Sequence, residues 1–369
     1  MQNFRNHSDV ELHWEHHVNV ITGPNGAGKT NLIDAIHYLC MTRSFVSGSD
    51  QYVVAGGEKY FMVEGSFEGR IRSEFDIRCN YSRGEGKKIF VNESPLDRLS
   101  DLIGMVPVVV LSPEDKILTS GGPAERRSFI DGFISQISPA YMRDLMKYNR
   151  VKKQRNKLLQ EFGGAESMLI ALLEPWNRQL VETGSAVVAR RTEVLENFRT
   201  YLAEQFCSFS GLDLTPDLEY QTFCTPSIHE DEIRTVYENE LEQNQKKEID
   251  REQTLIGPHR DEIVFFLEDM ELRNYGSQGQ HRLFSVALKL AQLFYYSNEL
   301  DDLPIMLLDD VFGNLDQKKT EILLQTLNRH EGQTFITSAS ETPFKYLDWS
   351  DNHGNGWFAI DDQQIQKIK

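Results

Sequence analysis

Residues Ile21–Ile36 read "ITGPNGAGKTNLIDAI". Gly23, four residues, then Gly28, Lys29 and Thr30 have the spacing of a loop that cradles phosphate. Upstream, Val18, Val20 and Ile21 form the short β-branched run of a buried strand. Pro24-Asn25-Gly26-Ala27-Gly28 is turn-rich and cannot extend that strand. From Lys29 the apolar positions Leu32, Ile33, Ile36, Leu39 and Cys40 take up helical spacing. Strand, glycine loop, helix is the context such a loop requires. Glycines let backbone N–H groups curl around phosphate oxygens, and the helix N-terminus adds partial positive charge. The segment predicts nucleotide binding by Gly23, Pro24, Asn25, Gly26, Ala27, Gly28, Lys29, Thr30 and Asn31. Lys29 is expected at the β- and γ-phosphates, and the Thr30 hydroxyl on Mg²⁺.

The rest of the composition narrows the class. With 369 residues there is length for two compact units. No apolar run approaches a membrane span; "PVVVL" at Pro107–Leu111 suits a core strand. Cys40, Cys79, Cys207 and Cys224 are scattered without a CxxC pair, which fits a reducing cytoplasmic setting and argues against a zinc site. His13, His16 and His17 sit in a polar stretch and read as a solvated turn. A net charge of −17 confines any nucleic-acid surface to a local basic patch.

Residues Tyr52 to Val110 alternate short β-type runs with turns and predict an antiparallel meander. "GGPAERRSFIDGFI" opens a helical region expected to last to about Gln245, with a turn at Gly163-Gly164. Parallel-sheet character returns after residue 252. "LPIMLLDDVFGNLD" is an apolar strand ending in Asp309 and Asp310. Such a strand beside the loop strand supplies Asp309 for Mg²⁺ and Asp310 to orient or deprotonate the attacking water. In "SQGQHR", Ser277 stands before a helix. It reads either as a simple cap or as a signature loop reaching a γ-phosphate held by another subunit.

These residues carry a resemblance. A P-loop, a signature Ser277-Gln278-Gly279-Gln280 and a strand ending in acids followed by "NLD" look like an ABC-type ATPase head. More narrowly, "NFRNH" (Asn3–His7), "LSPED" (Leu111–Asp115), "GGPAERRSFID" (Gly121–Asp131), "YNRVKKQRNKLL" (Tyr148–Leu159), "GPHRDE" (Gly257–Glu262) and "YGSQGQHR" resemble the RecF family of bacterial recombination mediators, related to the heads of SMC and Rad50 proteins. Departures are His281 where the family usually has Gln, Gly313-Asn314 in its usual "SELD", and Ser338 where transporters place a switch histidine. The chain also begins close to "NFRNH", so the first family strand is expected to be short or to start upstream.

The resemblance implies an α/β P-loop ABC-type ATPase head with an antiparallel β subdomain and an inserted helical lobe. The head is expected at residues 1–118 and 252–369, the helical lobe at 119–251. It implies ATP and Mg²⁺ as cofactors and weak ATPase activity as a switch. It implies an ATP-dependent homodimer on double-stranded DNA, no membrane, and RecR and RecO as partners in loading recombinase at single-strand gaps. Ser277, Gln278, Gly279 and Gln280 would act in trans, with Asp316 in the loop after the acid strand. A transporter ATPase is the other reading, but the stretch from Lys29 to Ser277 is too long for its compact head. An SMC-like protein would need a far longer coiled coil, and a fused nuclease a carboxylate–histidine cluster. For DNA, Arg143, Lys147, Arg150 and Lys157 fall on one helix face, with Arg126 and Arg127 upstream. That face is either a solvated surface or a phosphate-binding one.

Overall fold

The structure is a computed structural model that describes residues 1–369 except 72, 348, 350–353 and 362–363. The strand Val18–Thr22 is buried at every position, as its β-branched run requires. It lies within a sheet of described strands in the order Gln364–Lys367, Gly356–Asp361, Val18–Thr22, Thr334–Ser338, Ile305–Asp309 and Val108–Leu111. Neighbours run parallel, apart from the hairpin that joins the first two. Register decides what this sheet can do. Ile21 lies opposite Thr337, and Thr337 opposite Asp309. The strand that feeds the glycine loop and the strand that ends in acids therefore finish at the same level, with one strand between them.

Helix Lys29–Met41 buries Leu32, Ile33, Ala35, Tyr38, Leu39 and Cys40. It packs against the parallel sheet and against a second, antiparallel one. That second sheet has the order His7–Asp9, Gln2–Phe4, Tyr60–Phe67, Phe75–Ser82, Gly86–Val91 and Ser94–Pro95. Phe61, Val63, Ile77, Cys79 and Ile89 join Ile33 and Tyr38 in one core. Each large apolar side chain buried there contributes about 1.5–3 kcal/mol over exposure. The helix that carries the phosphate loop is thus clamped on two sides.

The chain forms two compact units. The first holds Met1–Asp115, Ser208–Gly211 and Val286–Lys369; the second holds Lys116–Cys207 and Leu212–Ser285. The second unit contains helices Pro123–Ile137, Pro139–Glu161 and Glu230–Asp250 and most of the long helix Glu166–Ser210. The boundary expected at 252 from the sequence lies further along the chain, since residues up to Ser285 group with the helical unit. The reason is a strand that the helical reading missed. Pro216–Gln221 alternates buried and exposed residues and pairs antiparallel with Glu262–Leu267, Ile263 opposite Tyr220. Helical spacing is therefore broken well before Gln245.

Candidate functional site

The loop takes the backbone shape its glycines allow. Gly23, Gly26 and Gly28 have φ of +155°, +84° and +102°. A Cβ on Gly23 would meet the Ile360 carbonyl oxygen at 2.4 Å, and one on Gly28 would meet the Asn6 amide at 2.6 Å and His7 Nε2 at 2.7 Å. Gly28 caps the helix without a side-chain hydrogen bond, and the first turn carries no acid. The N–H groups of Lys29 and Thr30, which open that turn, are left for an anion, while those of Asn31 and Leu32 bond the Gly28 carbonyl. Lys29 Nζ donates to the carbonyls of Gly23 and Pro24 at 2.8 and 2.9 Å. Burial lowers its pKa, against the fields of Asp310 and Asp309, which raise it.

Two residues the sequence reading left out brace the loop from behind. His7 Nε2 bonds the Gly28 carbonyl at 3.1 Å, and Asn6 Nδ2 donates to Ala27 at 3.3 Å. Asn31, expected among the nucleotide ligands, turns its amide to Asn6 Oδ1 at 2.6 Å. Contacts of this kind cross strand and loop, so no local spacing announces them.

The acid strand meets the loop as its register dictates. Thr30 Oγ1 donates to Asp309 Oδ1 at 2.7 Å, and Thr337 Oγ1 donates to the same oxygen at 2.7 Å. Burial pushes the Asp309 carboxyl up, while the Thr337 and Thr30 hydroxyls favour its charged form. A half-desolvated carboxylate beside a hydroxyl is an oxygen pair suited to a hard divalent cation. Among the described residues no group of three or more His, Cys, Asp or Glu could hold a metal unaided. A cation here would complete its shell with phosphate and water. Asp310 is exposed and held at φ +47°, a region non-glycine residues rarely adopt. Its N–H donates to Thr337 O at 3.2 Å and Thr337 Oγ1 at 3.1 Å. Thr337, absent from the sequence reading, therefore positions both acids.

The signature segment belongs to the second unit. Ser277 N donates to Gln280 Oε1 at 2.8 Å and Gln280 N to Ser277 Oγ at 3.2 Å, a reciprocal cap on helix Gln278–Glu299. Ser277, Gln278 and Gly279 are exposed. Asp316 caps helix Gln317–Asn328, its Oδ1 accepting from Lys319 N at 2.8 Å.

Arg143, Lys147, Arg150 and Lys157 are all exposed on helix Pro139–Glu161. Lys147 meets Glu182 at 3.4 Å and Lys157 meets Glu161 at 3.7 Å. Arg126 is not part of a surface patch: it is buried and forks onto Glu262 at 2.8 and 2.9 Å. The "GPHRDE" turn is held from within the second unit. Asp261 pairs with Arg191 at 2.8 Å and accepts from Tyr220, and His259 Nδ1 bonds Tyr148 Oη at 2.6 Å. All of these lie in the second unit.

This architecture has relatives. A model of the RecF/RecN/SMC N terminal domain matches residues 1–351. The DNA replication and repair protein RecF of Salinibacter ruber is 44% identical over 354 residues, 94% of this chain and 85% of that one. The chain belongs to the RecF family. The RecF of Chloroherpeton thalassium is 39% identical over 350 residues, covering 92% of this chain and 94% of its own. A solved structure described as the recombination mediator protein RecF-ATP in the RecFOR pathway superposes with a TM-score of 0.90 at 31% identity, covering 100% of this chain and 96% of that one. An Smc head bound to the C-winged helix domain of ScpA aligns with a TM-score of 0.56 at 13% identity, 100% of this chain and 94% of that one, which is a likeness of fold. The fold is the mixed α/β head of the RecF and SMC kind, with an antiparallel sheet and a helical insert. Among the described residues no helix is long and apolar enough to cross a membrane.

Proposed function

We propose that this RecF-family chain is an ATP-switched DNA-binding protein of recombinational repair and replication, acting in a RecFOR-type pathway with RecO and RecR. The observation that carries the nucleotide half is the Thr30–Asp309 pair at 2.7 Å beneath an uncapped helix N-terminus. Backbone N–H groups of Gly26 to Thr30 and the Lys29 ammonium hold the phosphates of ATP. Thr30 and Asp309 hold Mg²⁺, which when bound neutralises phosphate charge. Asp310 orients and deprotonates water. Ser277 to Gln280 of a second copy complete the site, and Asp316 lies in the loop that accompanies such pairing. Duplex DNA sits on basic residues of the second unit, with Arg143, Lys147, Arg150 and Lys157 supplying phosphate contacts. Support for ATP comes from the RecF relative solved with it. Hydrolysis resets the clamp.

Asp310→Asn tests the reading. Asn tolerates the left-handed backbone that Asp310 occupies, so the fold is kept while the base is lost. Light scattering with ATP and duplex DNA is expected to find a stable dimer that does not turn over. Hydrolysis at the parental rate would move the base elsewhere, and a monomer under all conditions would remove the clamp.

A further inference from the structure

The second unit gathers three cations around one turn. Arg127, on helix Pro123–Ile137, donates from Nη1 to the Asp261 carbonyl at 2.6 Å. Lys152, on helix Pro139–Glu161, holds Nζ 6.0 Å from the centre of the Tyr148 ring, and the Tyr148 hydroxyl bonds His259. Arg260 is exposed, and its N–H closes the turn onto Gly257 at 2.9 Å. The turn is rigid. Gly257 has φ +129°, and a Cβ there would lie 2.1 Å from Tyr237 Oη and 2.5 Å from Tyr148 Oη.

The charge is only partly compensated. Burial, then the fields of Arg127 and Arg260, lower the Lys152 pKa. Asp131 opposes them, but its Oδ1 already accepts from Arg191 and Tyr141. Asp261 is likewise engaged by Arg191 and Tyr220 through Oδ2. Among the described residues no carboxylate forms an ion pair with Lys152 or Arg260. The chain carries a net charge of −17, so carboxylates are plentiful, yet among the described residues none is ion-paired with these three. Like-charge repulsion in a partly desolvated place is relieved by an anion, and two guanidinium forks with an ammonium suit phosphate oxygens.

We propose that Arg127, Lys152 and Arg260 form an anchor for the backbone phosphates of duplex DNA, separate from the exposed face of Arg143, Lys147, Arg150 and Lys157. It rests on the reading of this chain as a DNA-binding protein. Unlike that face, two of whose lysines meet carboxylates, the anchor is braced by the Tyr148–His259 hydrogen bond.

The test is fluorescence anisotropy of a labelled duplex with the full chain and ATP, across a salt titration. Arg260→Gln is expected to flatten the log–log salt slope by about 1, and Lys152→Gln with Arg260→Gln by about 2. Arg260→Lys should restore most of the slope. Unchanged ATP binding verifies that each variant is folded. The pair Arg143→Glu and Arg150→Glu should weaken binding additively with the anchor variants. A parent that binds duplex, with a double variant matching its affinity and slope, overturns the anchor. A parent that binds no duplex overturns the DNA reading itself. In that case, thermal stabilisation of the parent but not the double variant by inorganic phosphate would reassign the cluster to a small anion.

Discussion

At the scale of single residues, Lys29 shows how much of the site is assembled in advance. Its ammonium is lodged on the Gly23 and Pro24 carbonyls, inside the curve of its own loop. A phosphate entering that curve meets a cation already in place. Lys29→Met keeps the aliphatic stem and loses the charge. It is expected to abolish ATP binding while leaving the melting temperature within a few degrees, since the two bonds lost are made inside the loop and not in the apolar core. Equilibrium binding of a fluorescent ATP analogue, with a thermal melt alongside, measures both. ATP affinity equal to the parent would remove the loop from the nucleotide site.

At the scale of elements, the signature helix carries two roles on one side chain. Ser277 Oγ accepts from Gln280 N and so caps the helix that follows; in the proposed dimer the same hydroxyl faces the partner's γ-phosphate. Substitution separates them. Ser277→Ala loses both and should cost about 0.5–2 kcal/mol in stability. Ser277→Asp keeps the cap and sets a negative charge against phosphate. It is expected to retain stability and monomer ATP binding but to lose ATP-dependent dimerisation by light scattering. An aspartate variant that still pairs would leave Ser277 a cap and nothing more. What was legible in the sequence divides along the same line. The loop could be read because strand, glycines, lysine and threonine are contiguous and each obeys a local rule, and the capping pair could be read from Ser and Gln three apart. Pro216–Gln221 was not legible as a strand inside a helical block, because what makes it one is pairing with Glu262–Leu267. Asn6, His7 and Thr337 escaped for the same reason: their contacts reach the loop and the acids from a separate turn and from other strands. What holds "GPHRDE" was not legible either, because Arg191 and Tyr148 sit on helices distant in sequence.

At the scale of the whole molecule, each compact unit holds a neutral histidine, buried in the first and half-buried in the second, and that sets a shared response to acid. In the first unit His37 is 8% exposed, and its Nδ1 bonds the Arg43 carbonyl at 2.9 Å. In the second, His259 lies between Tyr148 and the Thr254 carbonyl. Burial lowers the pKa of both from 6.5 to about 3; neighbouring Arg43 and Lys289 add to this for His37, and Lys152, Arg260 and Arg127 for His259. A depressed folded-state value means the neutral form is the one the fold holds. Above pH 6.5 neither folded nor unfolded chain carries the proton, so the contribution to stability is complete and flat. As pH falls from about 6.5 toward 3, the unfolded chain takes up a proton that the folded chain refuses, and stability falls by linkage. Each histidine adds about one proton to that slope. Urea midpoints followed against pH should therefore decline through this window. Segment-resolved hydrogen exchange should then assign the decline unit by unit. His37→Gln is expected to flatten it for helix Lys29–Met41 and leave helix Pro139–Glu161 unchanged, and His259→Gln to do the reverse, because the two rings share no hydrogen-bond partner. Identical slopes in parent and variants would mean that neither histidine is held neutral by the fold, and that acid acts through other groups, His7, His281 and His330 among them, whose pKa burial also lowers.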